Sequence, residues 1–398
     1  MLTFFLFLIS FLVTPHHATS KSTHSNIKIN NPKKSQYYPP DISFCIVDLK
    51  YKKPHLKICE LGQGTISGFH GYHRLYRIGD IWDEFWNFLA QFSDAIFYIN
   101  YQQSFDSSIP IKSLATFYNR HGTMCQTVKQ LKSNPRFINA LKNKTHPIIV
   151  APLNYQEFKD CCIPTSRYHN AILLDNATRP FVLNKLLTHL LFMHDPSIRH
   201  YRPLCKIFPT SYSPTMAQET ITDIPSSEYV IKPINAYKGK GLIFVPQQEL
   251  DQTLKSILCP QLDTNVTFST NHEYWHHHPK PYFLIESRES SQLIKVAEQP
   301  YDATMRVAFG VAYHQGIIDL TFFGAYWKLP KKSIHELGSL AERYQSHIEI
   351  GSSCSTKVND VTYNEVKKIL TTILPKIYLK MLAARHDPTL IPSLLEQV

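Results

Sequence analysis

Residues 229–245 of this chain read YVIKPINAYKGKGLIFV, so two short apolar segments flank a glycine turn that is rich in lysine. Both apolar segments contain β-branched and aromatic residues, which favour strands, while Pro233 and Gly239 interrupt the pattern between them. The stretch therefore predicts a strand, a loop and a second strand that pair as a β-hairpin.

The loop of this hairpin combines small residues with positive charge. Gly239 and Gly241 lack side chains, so an anion can approach the backbone N–H groups beside them, and Lys238 and Lys240 supply charge there. Lys232 leaves the end of the first strand. The loop has neither the Walker pattern nor a Gly-x-Gly-x-x-Gly sequence. It predicts polyphosphate binding, with an ordinary solvated hairpin as the alternative.

Residues 230–233 and 239–245 resemble the central hairpin of the ATP-grasp superfamily. The resemblance implies that Lys232 contacts a nucleotide phosphate and that the glycine loop, residues 238–241, closes over the nucleotide. A predicted helix over 179–193 precedes the hairpin, and its Lys185 resembles the family's helix lysine near the phosphates. A solvated helix lysine is the alternative.

Two later strands extend the resemblance to the ATP-grasp superfamily. Residues 281–289, PYFLIESRE, resemble the hinge strand whose backbone meets adenine and whose acidic residue meets ribose, which implies Glu286 or Glu289. Residues 301–311 resemble the family strand that carries an aspartate and an arginine.

In that strand Asp302 would lie in the cofactor site, and Arg306 would support phosphoryl transfer. An Asp302–Arg306 ion pair is the purely structural alternative. Lys328 follows the predicted strand over 317–325 and would face the transferred phosphate.

The C-terminal part of the chain departs from the family pattern. ATP-grasp proteins usually finish the site with a carboxylate strand and a Glu-x-Asn motif that hold Mg²⁺, and no Glu-x-Asn follows residue 351 here. Asp319 and Glu349 are the remaining candidate ligands. The metal ligands are therefore not identified, and nucleotide binding without turnover stays an open alternative.

Length and composition allow two or three domains, because 398 residues with 43% hydrophobic content supply ample core. Strands alternating with helices predict a parallel α/β domain over 44–175, and its place in the chain resembles that of a pre-ATP-grasp domain. The resemblance implies an ATP-grasp domain, α+β in type, over 176–398, with a lid subdomain at about 205–285. Residues 21–43 are polar and aperiodic, which predicts a flexible linker.

The first twenty residues suggest export. Residues 2–13 are apolar but too few for an ordinary membrane span, and residues 18–20 are small enough for cleavage, as in a secretory signal peptide. The alternatives are an uncleaved membrane anchor, or a cytoplasmic protein whose start codon is misplaced upstream. The eight cysteines are scattered without metal-binding spacing.

The net charge of +11 indicates an acidic ligand or surface, or simply a solvated basic face. No aromatic-basic array or zinc-finger spacing supports nucleic acid as a partner.

One motif competes with the nucleotide interpretation. Residues 272–276, HEYWH, match His-Glu-x-x-His, which on a helix sets His272 and His276 on one face for zinc with Glu273 as general base. Glu298 is a distant third ligand. The polar segment before the motif and two prolines after it disfavour that helix, so a polar loop is the main expectation and a zinc hydrolase a third alternative.

The resemblance to the ATP-grasp superfamily implies an ATP-dependent carboxylate-amine ligase that uses Mg-ATP and proceeds through an acyl phosphate. Its carboxylate and amine substrates, small molecules or peptides, are not specified by the sequence. An ATP-grasp-like protein that binds nucleotide with little catalysis is the alternative.

Overall fold

The computed structural model of the protein describes residues 24–28, 38–66, 68–99, 116–120, 122–143, 146–152, 170–236, 239–259, 270–277, 280–346, 355–387 and 389–391. Within these ranges strands and helices mix in an α/β fold, which confirms the class predicted from the sequence. The predicted signal segment lies outside the described residues.

The strands, in chain order, are β1 His24–Lys28, β2 Asp41–Lys52, β3 His55–Gln63, β4 Ala95–Ile99, β5 Gly122–Cys125, β6 Ile148–Pro152, β7 Ala171–Leu173, β8 Cys205–Pro209, β9 Glu228–Pro233, β10 Ile243–Pro246, β11 Tyr282–Ser287, β12 Ile294–Val296, β13 Gln299–Tyr301, β14 Thr304–His314, β15 Ile317–Lys328 and β16 Ser355–Lys357.

The helices are α1 His70–Leu75, α2 Asp80–Leu89, α3 Val128–Ser133, α4 Pro135–Lys142, α5 Arg179–Val182, α6 Lys185–Met193, α7 Met216–Asp223, α8 Leu250–Leu258, α9 Thr270–His277, α10 Leu340–Tyr344 and α11 Asp360–His386.

The largest sheet is antiparallel and joins distant parts of the chain. Its order is β1-β15-β14-β2-β3, with β16 also paired to β15. The hairpin of β2 and β3 thus lies beside β14, more than two hundred residues later in the chain. These two strands were expected in an N-terminal α/β domain, but they complete the sheet that carries Arg306 and Lys328.

Strand β2 shows how this sheet divides two cores. Its alternate residues Cys45, Val47 and Leu49 pack on one side with the long helix α11, and Phe44 and Ile46 pack on the other side with α2. Such period-two alternation follows from the pleat of a strand. Beyond Ile46 the α2 side of the strand continues with Asp48 and Lys50, so the apolar face becomes a charged face.

The parallel sheet predicted from alternating strands and helices is present, in the order β5-β4-β6-β7. Helices α3 and α4 cover it through a small apolar core that includes Phe97, Leu131 and Phe137. This unit spans β4 to β7 and excludes β2 and β3, because those strands pair elsewhere.

The third sheet contains the predicted hairpin. Strands β9 and β10 pair antiparallel, with Ile231 opposite Ile243, and β11 and β8 complete the order β10-β9-β11-β8. Helices α7, α8 and α9 pack around it, and its apolar residues form a separate core. We call this unit, Cys205 to Ser287, the lid.

Two segments differ from the sequence expectations. The range 21–43, expected as a linker, contributes β1, which pairs with β15 from His24 opposite Thr321 to Lys28 opposite Ile317. Edge pairing uses backbone groups and needs no apolar pattern.

Helix α11 runs without a break through Pro375, although proline usually interrupts a helix. Pro375 is buried together with the core residues Leu374 and Ile377, and this packing stabilises the helix despite the missing N–H.

Five cysteines lie in the described part of the chain, and all five are free thiols. Within the same ranges, no helix combines the length and apolarity that crossing a bilayer requires.

Candidate functional site

A cleft lies between the charged face of the large sheet and the lid, and α10 with the residues after it closes one end. Its lining includes six basic residues: Lys50, Lys185, Lys232, Arg288, Arg306 and Lys328. Four acidic residues share the lining: Asp48, Glu60, Glu286 and Glu289. The excess of positive charge favours an anionic ligand.

The floor of the cleft is a cross-strand row of charges. Arg306 of β14 lies opposite Asp48 of β2, which in turn lies opposite Glu60 of β3. Arg306 donates from Nε and Nη2 to both oxygens of Asp48 at 2.8 and 2.9 Å, and Lys328 Nζ donates to Asp48 Oδ2 at 2.8 Å. A single carboxylate therefore accepts hydrogen bonds from two cations.

This arrangement fixes the ionisation of the floor. Burial by itself raises the pKa of Asp48, but the charges of Arg306 and Lys328 outweigh burial and hold that pKa well below its usual range. Burial, together with the charge of Arg306, lowers the pKa of Lys328, although Asp48 opposes that change.

The lid contributes a second carboxylate between two cations. Lys232 on β9 donates to Glu286 Oε2 on β11, and Arg202 Nη2 donates to Glu286 Oε1 at 2.8 Å. Burial alone lowers the pKa of Lys232, and the adjacent Glu286 carboxylate more than reverses this, so the pKa is raised. Burial acts against ionisation of Glu286, but Lys232 and Arg202 lower its pKa.

Lys185 is the first residue of helix α6, and it lines the cleft. The side chain of Asn184 caps this helix. The backbone N–H of Lys185 donates to the Ile234 carbonyl at 2.9 Å, and its ammonium donates to the Ala236 carbonyl and lies 3.4 Å from Glu60 Oε1. The predicted helix lysine thus lies at the base of the hairpin loop, beside an acidic group.

Asp302 pairs with Lys50 and Arg288. Its Oδ1 accepts Lys50 Nζ and the Ser291 N–H, both at 2.9 Å, and its Oδ2 accepts Arg288 Nη1 at 2.9 Å. Asp302 is buried beneath the cleft and does not pair with Arg306. Four residues of extended strand span about 13 Å, which separates the two side chains.

Two backbone N–H groups at the end of the hinge strand β11 already have partners within the protein. The Ser287 N–H donates to the Leu204 carbonyl at 2.8 Å, and the Arg288 N–H donates to the Glu228 carbonyl at 3.0 Å. Glu289 lines the cleft and accepts a hydrogen bond from the Ser287 hydroxyl. An adenine ring at this edge would therefore rely on carbonyl groups rather than on these two amides.

The two loop glycines have separate roles. Both need a positive φ, 73° at Gly239 and 69° at Gly241, which favours glycine. Gly239 lines the cleft, and its carbonyl accepts Gln345 Nε2 at 3.2 Å.

The Gly241 N–H instead donates to Asn271 Oδ1 at 3.1 Å, away from any ligand in the cleft. Lys240 is exposed and outside the cleft lining, and Lys238 lies outside the described residues.

The His-Glu-x-x-His segment forms the helix α9, contrary to the expected loop. Tertiary contacts override its weak helix propensity, since Asn271 bonds Gly241 and the Trp275 indole N–H donates to the Gly241 carbonyl at 2.9 Å. Trp275 is buried in the lid core. The helix supports the glycine loop from behind.

Of the two expected metal ligands, Asp319 is the one with a described position, and it lies outside the cleft lining. Asp319 contacts His314 at 3.1 Å near the far end of β15, about 30 Å along the strand from Lys328. Glu349 lies outside the described residues. Among the residues with described positions, no group of three or more His, Cys, Asp or Glu side chains is arranged to hold a metal ion.

Five charged residues of the described site were not predicted from the sequence: Asp48, Lys50, Glu60, Arg202 and Arg288. One signal was available, since Asp48 interrupts the apolar run of β2 and a charged residue in a buried strand is uncommon. Arg202 follows a short turn in which no local pattern marks it.

Comparisons with known proteins give only distant structural likenesses. No protein-family model matches the chain, and no curated protein matches it. Solved structures do match, among them a candidate gamma-glutamylcysteine synthetase from Methylobacillus flagellatus KT, with a TM-score of 0.42 and 9% identity over 87% of this chain and 89% of that chain. A likeness at this level assigns neither family nor activity.

Proposed function

We propose that the cleft binds ATP and that the protein is an ATP-dependent carboxylate-amine ligase. The observation that carries this proposal is the convergence of Lys185, Lys232, Arg306 and Lys328, from four separate elements, on one cleft beneath a glycine loop. All four were singled out in the sequence by their likeness to ATP-grasp motifs. A polyphosphate needs this multiplicity of cations more than it needs a strong base.

In the proposed reaction a carboxylate oxygen of the acid substrate attacks the γ-phosphorus of ATP. The bond from phosphorus to the bridging oxygen breaks, and ADP leaves. An amine then attacks the acyl phosphate carbon, phosphate departs, and the nitrogen loses a proton as the amide forms. Arg306 and Lys328 would spread charge over the transferred group, and Lys185 and Lys232 would hold the remaining phosphates.

Asp48 and Glu60 are the residues that fit a magnesium ion. They are cross-strand neighbours on β2 and β3, and both line the cleft. Mg²⁺ commonly takes one or two carboxylates together with phosphate oxygens and water, so a three-residue protein site is not required. The ion would supply charge neutralisation of the phosphates.

The bonds of Asp48 favour a second candidate function, nucleotide binding without turnover. Its two oxygens already accept hydrogen bonds from Arg306 and Lys328. Glu60, which lies 3.4 Å from Lys185 Nζ, is therefore the more accessible carboxylate for a metal ion. If that pairing persists with ligand bound, ATP binds but its hydrolysable bond is not activated.

Nucleotide turnover by the chain lacking residues 1–20 separates these two functions. Purified protein is incubated with Mg-ATP and a matrix of acids and amines, and ADP, phosphate and amide are measured. The ligase yields the three products in equal amounts with one acid-amine pair. ATP binding with no ADP from any pair supports the second candidate, and absence of ATP binding overturns both.

Replacement of Lys232 tests the phosphate site directly. Lys232→Ala removes a hydrogen bond to a charged group, so we expect ATP binding to weaken by about 1.5–3 kcal/mol, measured by calorimetry. Lys255→Ala is the matched control, because Lys255 is an exposed lid lysine outside the cleft lining. Unchanged affinity in folded Lys232→Ala would reject Lys232 as a phosphate ligand.

A further inference from the structure

Arg202, Glu286 and Lys232 form a buried chain of alternating charge at the edge of the cleft. Their side chains are 2%, 1% and 9% exposed, and each oxygen of Glu286 accepts from a different cation. Lys232 and Glu286 line the cleft, whereas Arg202 lies behind them. Arg202 is therefore not among the residues that line the cleft, and it contacts the lining through Glu286.

Arg202 is held by the large sheet rather than by the lid. Its Nη1 donates to the carbonyls of Ile58 at 2.8 Å and Cys59 at 3.0 Å, both on β3, and its guanidinium lies 5.6 Å from the centre of the Phe192 ring. This fixed position sets where Glu286 Oε1 is held, and so where Oε2 meets Lys232.

Arg202 changes the net charge that the Lys232–Glu286 pair presents to a ligand. A buried pair of Lys232 and Glu286 alone has no net charge, so it offers an anion only a weak dipole. Arg202 adds one positive charge to the pair, and electrostatic interactions in a partly dehydrated cleft are stronger than in water. The cluster of three therefore presents a net positive charge beside the Lys232 ammonium.

The floor of the cleft also carries one more positive than negative charge, once Glu60 is counted with Lys185, which lies 3.4 Å from it. Asp48 serves Arg306 and Lys328, so this cluster also contains two cations for one carboxylate. By contrast, Asp302 pairs with Lys50 and Arg288, but Arg288 also pairs with Glu228, which makes that set neutral. The two clusters with excess charge line the cleft from the large sheet and from the lid.

We propose that Arg202 is a positioning residue that keeps the Lys232–Glu286 pair cationic, so that the cleft recognises a polyphosphate chain. This inference rests on the proposed function, since it assumes that Lys232 faces phosphate. Arg202 would affect binding of the phosphate chain, and any contacts with a nucleoside would contribute to affinity separately.

The test is a set of variants whose net charge at this cluster differs while the shapes stay similar. Arg202→Met makes the cluster neutral, Glu286→Gln raises its charge by one, and the double variant restores the single positive charge. Calorimetry measures binding of inorganic tripolyphosphate and of ATP to the full chain. Circular dichroism and thermal melting verify the fold of each variant.

We expect Arg202→Met to weaken tripolyphosphate binding about tenfold or more, the scale of losing one interaction with a charged group. The double variant Arg202→Met with Glu286→Gln should recover affinity to within about threefold of the original protein, and Glu286→Gln alone should bind at least as tightly as the original protein. The loss in Arg202→Met should shrink at high salt.

A purely structural brace gives a different pattern, because removal of both partners would then lower affinity at least as much as either single change. That result would overturn the inference. If Arg202→Met does not fold, the test rests on Glu286→Gln. Binding of tripolyphosphate at least as tight as in the original protein supports the charge argument, and a tenfold loss in the folded variant contradicts it.

Lys232→Ala distinguishes this inference from the proposed function. If Lys232→Ala weakens ATP binding and folded Arg202→Met does not, the role of Arg202 is wrong and the nucleotide site stands. If neither change affects ATP or tripolyphosphate, the phosphate site itself is wrong, and the inference falls with it.

Discussion

Strand β2 carries a buried carboxylate near each end, and the two are ionised to different degrees. Asp48 accepts hydrogen bonds from the cations Arg306 and Lys328 in the cleft. Asp41, seven residues earlier and about 23 Å away along an extended strand, accepts hydrogen bonds from neutral donors among the described residues: the Tyr378 and Ser43 hydroxyls and the Ala177 N–H. The charge of Arg385 adds a weaker effect on its pKa.

A second carboxylate lies at the Asp41 end. Asp175, just beyond β7, accepts the Phe44 N–H at 2.7 Å, Gln63 Nε2 at 2.6 Å and the Thr65 hydroxyl at 3.3 Å. The two aspartates thus join the parallel sheet to the large sheet, and Tyr378 adds helix α11. We call Asp41 and Asp175 the junction pair.

The difference between the two ends follows from the charge of the partners. Burial raises the pKa of both Asp41 and Asp175 to about 6, and their neutral hydrogen bonds only partly oppose it. At Asp48, cations reverse the effect of burial. A carboxylate with cationic partners stays ionised in a site for anions, whereas the junction pair makes stability depend on pH.

The largest expected effect is that of Asp48→Asn on stability. This change leaves Arg306 and Lys328 close together without their carboxylate, so we expect a loss of about 3–5 kcal/mol in the free energy of unfolding. Tripolyphosphate should recover part of this loss, because a bound anion replaces the missing charge. Chemical denaturation with and without the anion measures both.

Asp41→Asn is the control for that prediction. It removes neutral hydrogen bonds and should cost about 1–3 kcal/mol, with no recovery by tripolyphosphate. Equal losses at both positions, with no response to the anion at either, would mean that the two ends do not differ as their partners indicate.

The next effect is on the pH dependence of stability. Because the folded pKa of Asp41 is about 6, above its ordinary value of 3.8, its contribution to stability is complete below about pH 4 and is lost as pH rises through 6. Between pH 5 and 7.5 the original protein should lose about 1.5 kcal/mol relative to Asp41→Asn.

Asp48→Asn is the matching test at the other end of β2, where the folded pKa is lowered rather than raised. The pKa of Asp48 is already low in the folded protein, so this variant should follow the original protein in parallel over the same pH range. Denaturation curves at several pH values measure the difference. A parallel profile for Asp41→Asn as well would show that Asp41 does not titrate in this range.

The smallest effect is expected for Tyr378→Phe. Loss of one hydroxyl donor to Asp41 should cost about 0.5–1.5 kcal/mol and raise the pKa of Asp41 further, since that hydrogen bond favours the ionised form. Tyr229→Phe is the control, because its hydroxyl donates to the Ile224 carbonyl rather than to a carboxylate. It should cost a similar amount without moving the pH profile, and a shift in both variants would contradict the assignment.

Local sequence patterns were sufficient to predict the elements that carry the lysines. The hairpin of β9 and β10 followed from two apolar segments around glycines with positive φ. The parallel sheet followed from alternation of strands and helices, and Lys185 from its position in a predicted helix. Each depends on residues close in sequence, where periodicity and turn chemistry are informative.

Which charges meet was decided by the tertiary structure. Asp48 and Arg306 are 258 positions apart, and their contact depends on β2 pairing with β14 in one register rather than on any local pattern. A shift of one residue would point Asp48 into the apolar core. The same holds for Arg202 and Glu286, which meet because Arg202 is anchored to β3.

The segment 272–276 marks the limit of local reasoning most clearly. Its sequence predicted a loop, and it is a helix because Trp275 enters the lid core and Asn271 bonds the glycine turn. The sequence by itself determined that this chain would have an α/β fold with lysines around a glycine hairpin. Tertiary packing decided which carboxylate each cation would meet, because long-range register and burial outweigh local propensity.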